Sequence, residues 1–526
     1  MNIQEFLKGT PKVPRLLVAD AYTIGSGPHI ADAAKQGSIY NITARRGLKT
    51  YLSFASDNRL IFVGLRRILR DLFTRPVTTE EIEETAAFLK TSHAGGVQFH
   101  WDREVWDRLV RENNGIPPLK IEAMLEGTTF FPYEPVIQIV ADNGYGELAG
   151  YFESKLLQVW STIERATTLR WWWEYLRQEC RRMHPSWSDQ RVDLSTSIMC
   201  HDFGDRASSC SMESEILGMT HNLVLPGTDT FSGAYLDWKD TGEPYGCSIH
   251  ALAHRTVMSF VKESDAHIAL YHLGRQTGIT AHVSDTYDYF TTVERLANKL
   301  ANDPEWKNDS NLMTCRPDSG NAVECVLHVC KMAEKYGLYT IEDGLKVATR
   351  MRWIQGDSMS WDSMQHILAA VKNSGFSPFG FGCFGVGGHL RNTIARDHSA
   401  LSMKLAAVAD GDAWRPTCKR SETTAKTSIP GAVIILDNEQ QDLPTVYAGD
   451  VIRVSKRPSL LRVWYDGRRA DRLEDAFKEP CLETNTVIRE RIQKHFLDRV
   501  QPTQVLSEEI RELRDKVLST QKTNAW

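Results

Sequence analysis

Between about residues 195 and 410, short apolar runs recur, and each ends in a polar or glycine-rich cluster. Ser195–Cys200 leads into His201-Asp202-Phe203-Gly204, His221–Leu225 into Gly227-Thr228-Asp229-Thr230, and Ile279–Val283 into Ser284-Asp285-Thr286-Tyr287-Asp288. Asn311–Cys315 leads into Arg316-Pro317-Asp318-Ser319-Gly320-Asn321, Met351–Gln355 into Gly356-Asp357, and Phe379–Phe384 into Gly385-Val386-Gly387-Gly388. Met403–Val408 is a further apolar run, and helical segments such as Ala322–Tyr336 and Ser360–Lys372 lie between most of the others. Short apolar runs of this kind predict strands buried on both faces, and their alternation with helices predicts a parallel sheet. Seven or so such units predict an α/β fold, an irregular (β/α) barrel whose site lies where the strands end. An open doubly wound sheet is the alternative.

The flanks read differently. Residues 1–190 mix short strands and helices. Thr78–Thr91 has an N-cap threonine, early glutamates and helical apolar spacing. Leu156–Arg182 reads as a long helix carrying Trp171, Trp172 and Trp173, which suit a core or subunit contact better than an aromatic platform. After about 425 the pattern becomes antiparallel: Leu460–Tyr465 runs into Asp466-Gly467, a strand entering a tight turn. The basic stretch Arg453–Arg472 reads as a solvated strand face, and Ser507–Leu518 as an exposed helix with interleaved charges. The expected organisation is an α+β domain over 1–190, the barrel over 191–425, strands over 426–500 returning to the first domain in a sandwich-like arrangement, and a helical tail over 501–526.

Composition narrows the function. Of 526 residues, 42% are hydrophobic and 25% charged, enough for a sizeable core. A net charge of -5 lacks the basic excess of a general nucleic-acid or membrane-surface binder. No window approaches a membrane span, and Met1–Lys12 has no signal pattern. The ten cysteines form no Cys-x-x-Cys pair. They read as reduced thiols of a cytoplasmic protein.

The strand-end clusters suit a sugar phosphate. An Asp fixed at a strand end, as in Arg316-Pro317-Asp318-Ser319-Gly320, can accept two ribose hydroxyls, and the adjacent Arg can grip phosphate bidentately. The same pentapeptide also suits an ordinary turn. Gly385-x-Gly387-Gly388 precedes the helical His389–Arg396, where glycines and free N–H groups can admit a phosphate; a plain tight turn is the other reading. Gly356-Asp357 is a second sugar-binding candidate. Asp285 and Asp288 offer carboxylates for magnesium pyrophosphate, and either also suits a helix cap.

In order and spacing, His201-Asp202-Phe203-Gly204-x-Arg206, Gly227-Thr228-Asp229-Thr230, Ser284-Asp285-x-Tyr287-Asp288, Arg316-Pro317-Asp318-Ser319-Gly320-Asn321, Ile354-Gln355-Gly356-Asp357 and Gly385-x-Gly387-Gly388 with Arg396-Asp397 resemble the nicotinamide phosphoribosyltransferases. These are type II phosphoribosyltransferases, and weaker similarity runs from Asp20-x-Tyr22 to about Glu479. The resemblance implies an enzyme that joins nicotinamide to phosphoribosyl pyrophosphate, works with Mg2+, and is a homodimer with shared sites. It implies a ring sandwiched by Phe203 and the partner subunit's Tyr22, with Asp229 accepting from the carboxamide. Arg206 and Arg316 would meet the amide or pyrophosphate. Asp318, Gly356 and Asp357 would hold the ribose, and Gly387, Gly388 and Arg396 the 5′-phosphate. Arg46, Lys404 and Lys419 match basic positions near the phosphates, and Asp288 is the metal candidate. His254 falls on the histidine through which ATP hydrolysis is coupled, although Ala253 and Arg255 replace its usual Glu and Ser neighbours. A nicotinate phosphoribosyltransferase and a non-catalytic nucleotide-binding relative are the alternatives.

Overall fold

The computed structural model describes residues 12–91, 99–420, 427–438, 441–449 and 459–523. The chain divides into two compact units, one of Met1–Thr167 with Ala395–Trp526 and one of Thr168–Ile394. The expected limits at 190 and 425 therefore lie further along the chain than the observed ones. The first division falls inside the continuous helix Val159–Met183, where no break in composition marks it.

The second unit is built on six parallel strands in the order Cys200–Asp202, Gly382–Val386, Met351–Gln355, Leu312–Arg316, Ile279–Val283, His250–Ala251. Two parallel bridges, Asp202↔Thr228 and Gly227↔Cys247, carry the sheet round from its first edge to its last. The Asp202 N–H donates to the Gly227 carbonyl at 3.1 Å, and the Thr228 N–H to the Cys247 carbonyl at 2.9 Å. The sheet thus curls into an irregular barrel whose seventh member is Gly227-Thr228 alone. Helices Tyr289–Asn302, Ala322–Lys335 and Trp361–Asn373 separate the strands, with buried apolar residues at helical spacing.

Several expected elements differ. Ser195 and Ser197 belong to the helix Asp189–Ser197, which Ser188 caps, and the strand begins only at Cys200. His221–Leu225 is no strand; the His221 carbonyl accepts from the N–H groups of Val224 and Leu225, both at 2.9 Å, at the close of the helix Ser211–Asn222. The helical segment after Gly387 is two short helices, Gly388–Asn392 and Arg396–Ser399. Met403–Val408 lies in Ser402–Asp410, which pairs antiparallel with Ser38–Thr43 and is not a barrel strand.

That last strand belongs to the first unit. Its six-stranded antiparallel sheet has the order Ala413–Pro416, Ser402–Asp410, Ser38–Thr43, Pro135–Ala141, Leu119–Ala123, Arg462–Asp466. N- and C-terminal segments therefore build one α+β domain. Leu460–Tyr465 begins as a strand only at Arg462 and turns at Gly467–Arg469. The tail helix spans Glu508–Thr523 and buries Ile510. Residues 453–458 of the basic stretch lie outside the described residues. Trp171, Trp172 and Trp173 are all buried, and Trp173 Nε1 donates to Thr196 Oγ1 at 3.0 Å. Among the described residues, no helix is long and apolar enough to cross a membrane.

Candidate active site

The strands of the barrel end in the predicted motifs. Phe203 follows Cys200–Asp202, and the loop that carries it is held from beneath. Buried Asp202 accepts from the Gly204 N–H at 2.8 Å and pairs with buried Arg391 at 3.0 Å. The Phe203 ring leans on two glycines. A Cβ at Gly385 would lie 2.1 Å from its Cε2, and one at Gly356 would lie 3.2 Å away. Gly385 therefore makes room for an aromatic ring, a role the motif alone did not indicate. Arg316 covers the ring, its Cζ 5.6 Å from the centroid.

Phe203, Arg316 and Asp229 border one cavity of about 210 Å³ running into the barrel, which His201, Ser248 and Arg352 also line. Asp229 is exposed at the rim and accepts from Ser248 Oγ at 2.5 Å. The cavity is wide enough for a flat heteroaromatic ring and apolar over most of its wall.

A second group stands where Ile279–Val283 and Leu312–Arg316 end. Asp318 accepts from Arg316 Nη2 at 2.7 Å. His254 Nε2 lies 3.4 Å from Asp318 Oδ2 and 3.7 Å from Asp285 Oδ1, and its Nδ1 is 3.0 Å from Thr286 Oγ1. Asp285 in turn accepts from the Asp318 N–H at 3.0 Å and from Ser319 Oγ at 2.6 Å. Burial opposes ionisation of Asp318, but Arg316 and His254 outweigh it, so its carboxyl titrates below the usual range.

The structure separates the remaining candidates. Asp288 caps the helix Tyr289–Asn302, its carboxylate accepting from the Thr291 N–H at 3.2 Å and Thr291 Oγ1 at 2.6 Å. Asp285, three residues earlier, is the carboxylate beside His254. Asp357 accepts from Ser358 Oγ at 3.1 Å just after Met351–Gln355. Gly387 and Gly388 open the helix Gly388–Asn392. Arg206 is exposed on the turn Asp205–Ala207 and is not among the residues lining the cavity. Ser248 and Arg391 had no signal in the sequence, since each is an isolated residue brought in by the fold, whereas Thr286 lay inside the Ser284–Asp288 cluster without being singled out.

Tyr22, Arg46, Arg396, Lys404 and Lys419 belong to the other unit. Tyr22 is 69% exposed on the helix Ala21–Ser26. The cations cluster. Burial lowers the Lys404 pKa, Glu153 opposes that, and Arg45, Lys419 and Arg396 add to it. Arg45 is lowered too, by burial and then by Arg396 and Arg46 against Tyr133.

Residues 198–448 match the Nicotinate phosphoribosyltransferase (NAPRTase) family. The chain is 28% identical over 423 residues to the nicotinamide phosphoribosyltransferase of Xanthomonas campestris pv. campestris (strain 8004), covering 77% of this chain and 88% of that one. It is 24% identical over 367 residues to the nicotinamide phosphoribosyltransferase of Acinetobacter baylyi, covering 63% and 70%. In fold it is similar to human nicotinic acid phosphoribosyltransferase (TM-score 0.56, 15% identity, 95% and 100% covered). It is also similar to nicotinate-nucleotide pyrophosphorylase from Pyrococcus furiosus (TM-score 0.53, 16% identity, 94% and 96% covered). The chain is a phosphoribosyltransferase, and its residues 198–448 match the nicotinate phosphoribosyltransferase family.

Proposed function

We propose that this chain transfers phosphoribosyl from phosphoribosyl pyrophosphate to nicotinamide, giving nicotinamide mononucleotide and pyrophosphate in NAD salvage. The observation that carries the reading is Asp229 at the rim of the cavity that Phe203 and Arg316 border. An acceptor there suits a carboxamide N–H, whereas nicotinate would bring a carboxylate against Asp229. That contact favours the amide over the nicotinate alternative.

The chemistry needs no strong base. The bond from ribose C1 to pyrophosphate breaks with its electron pair on the leaving oxygen, and the ring nitrogen's lone pair forms the new bond to C1. Positioning and charge stabilisation therefore dominate. Phe203, and a partner subunit's Tyr22, hold the ring. Asp318, Gly356 and Asp357 hold the ribose, and Gly387, Gly388 and Arg396 the 5′-phosphate. Arg206, Arg316, Arg46, Lys404 and Lys419 stabilise the leaving pyrophosphate.

Magnesium ordinarily binds through one or two carboxylates plus substrate phosphates. Asp285 and Asp318 suit that number, because Asp285 Oδ1 is buried without a hydrogen-bond partner. Asp288, occupied as a helix cap, suits it less. His254, between those two carboxylates, is our candidate for taking a phosphoryl group from ATP and losing it to water. A homodimer is supported by Phe231, Tyr235 and Trp238, exposed by 67%, 56% and 44% at positions i, i+4 and i+7 of the helix Phe231–Thr241. A cytoplasmic setting is supported by ten free cysteines.

Purified chain with Mg2+, phosphoribosyl pyrophosphate and nicotinamide is expected to release pyrophosphate and the mononucleotide in equal amounts. ATP is expected to raise the yield, and His254→Ala to remove that rise while leaving slow synthesis. Absence of pyrophosphate release overturns the reading.

A further inference from the structure

The antiparallel unit holds a cavity of about 670 Å³ bordered by Arg45, Arg46, Arg511 and Arg514. None of the described residues lining it is acidic. Among the described residues no carboxylate pairs with Arg45, Arg46 or Arg511, and Arg514 meets only the exposed Asp515, at 3.8 Å. Four guanidiniums converging with only that one exposed carboxylate beside them repel one another, and an anion relieves the repulsion.

The cavity is built rather than incidental. Its C-terminal wall is pinned by backbone bonds: the Thr445 N–H donates to the Val505 carbonyl at 3.0 Å and the Ser507 N–H to the Val446 carbonyl at 2.9 Å. The Gln504 amide steadies Arg511, its oxygen accepting from Nε at 2.8 Å in the orientation that satisfies both groups. The facing wall is strained. Tyr133 has φ of 71°, the left-handed region a bulky residue enters only when its surroundings force it. Buried Glu134 does the forcing, accepting from the Phe131 N–H at 2.9 Å and gripped by both Nη atoms of Arg499 at 2.8 Å.

We propose that this cavity binds an oligophosphate chain, free or as part of a nucleotide, with Arg511 and Arg514 of the tail helix supplying two of its cationic contacts. Guanidiniums grip phosphate oxygens bidentately, and the volume suits a ligand of nucleotide size. Pro502, Val505 and Leu506 add an apolar wall on which a nucleoside can rest. The inference rests on the proposed transfer reading at Arg46 and goes beyond it at Arg511 and Arg514, which that reading does not use.

The test is a calorimetric titration of the full-length protein with inorganic tripolyphosphate and, separately, ATP. Arg511→Gln with Arg514→Gln is expected to weaken tripolyphosphate binding at least tenfold, while ATP-independent transfer stays within twofold. Tighter binding of ATP than of tripolyphosphate assigns the site to nucleotides, and equal binding to the inorganic chain; both uphold an oligophosphate site. Unchanged affinity in the double variant overturns it. So does a loss of binding matched by an equal loss of transfer, which would place the arginines in the transfer site. Should the double variant not fold, Arg514→Gln alone decides: weaker tripolyphosphate binding with unchanged transfer supports the proposal, and unchanged affinity contradicts it.

Discussion

The barrel face and the antiparallel unit handle charge in opposite ways. At the barrel face several charged groups are answered within the protein: Arg316 bonds Asp318, His254 stands between Asp285 and Asp318, and Asp229 receives Ser248. In the antiparallel unit Arg45, Arg46, Arg396, Lys404 and Lys419 crowd together, with Glu153 as the nearby acid that opposes the repulsion on Lys404. A paired set keeps its geometry and is suited to a neutral ring and a ribose. A crowded cationic set, in which Arg396 meets only the exposed Asp397 at 3.2 Å among the described residues, is suited to an anion.

Breaking the paired set should have the largest effect. Asp318→Ala leaves Arg316 and His254 without their shared carboxylate, and kcat/KM is expected to fall by roughly 10³-fold, towards the upper end for a lost charge-stabilising group. Steady-state kinetics with varied phosphoribosyl pyrophosphate would show it, and a fall of less than tenfold would remove Asp318 from ribose binding. Thermal stability should fall as well.

Breaking the crowded set should separate activity from stability. Lys404→Met deletes a half-buried cation that its neighbours repel. Activity should drop by about 10²-fold, while the melting temperature stays level or rises, since removing an uncompensated buried charge relieves its desolvation. A lower melting temperature would mean that Lys404 is paired after all.

The smallest effect concerns pH. Inside the barrel unit His267 Nδ1 lies 3.1 Å from His282 Nδ1, and both rings are buried. Burial lowers the His267 pKa from 6.5 to about 4, and lowers His282 well below its ordinary value. As pH falls below 6.5 the unfolded histidines take up protons before the folded ones. Stability present above 6.5 is therefore lost towards pH 4, at no more than about 1.4 kcal/mol per pH unit for each histidine. Urea midpoints should trace that slope, and His267→Gln should flatten it.

What was legible in the sequence follows the same division. Ile279–Val283 and Met351–Gln355 stand where their apolar runs predicted, because a parallel strand buried on both faces leaves an uninterrupted signature. His221–Leu225 has the same local composition and ends a helix, since so short an apolar run suits either structure. Ser402–Asp410 pairs antiparallel with Ser38–Thr43, a partner more than 350 residues away that no local pattern announces. At the site, the motifs located Arg316 and Asp318 at a strand end, while Asp229 follows the bridged Gly227-Thr228 rather than the strand expected over His221–Leu225. They did not show that Asp285 rather than Asp288 faces His254, nor that Gly385 seats Phe203, because both depend on where a loop turns in space. The oligophosphate cavity was invisible for that reason: Arg45 and Arg514 are distant in the chain and neighbours only in the fold.

On the proposed reading, Asp229 makes this transferase an amide enzyme. The most direct measurement is the ratio of kcat/KM for nicotinamide to that for nicotinate, in the wild type and in Asp229→Ser. The wild type is expected to favour nicotinamide, and the variant to narrow the preference by tenfold or more, equivalent to about 1.4 kcal/mol. A wild type that prefers nicotinate, or a ratio that Asp229→Ser leaves untouched, would contradict it.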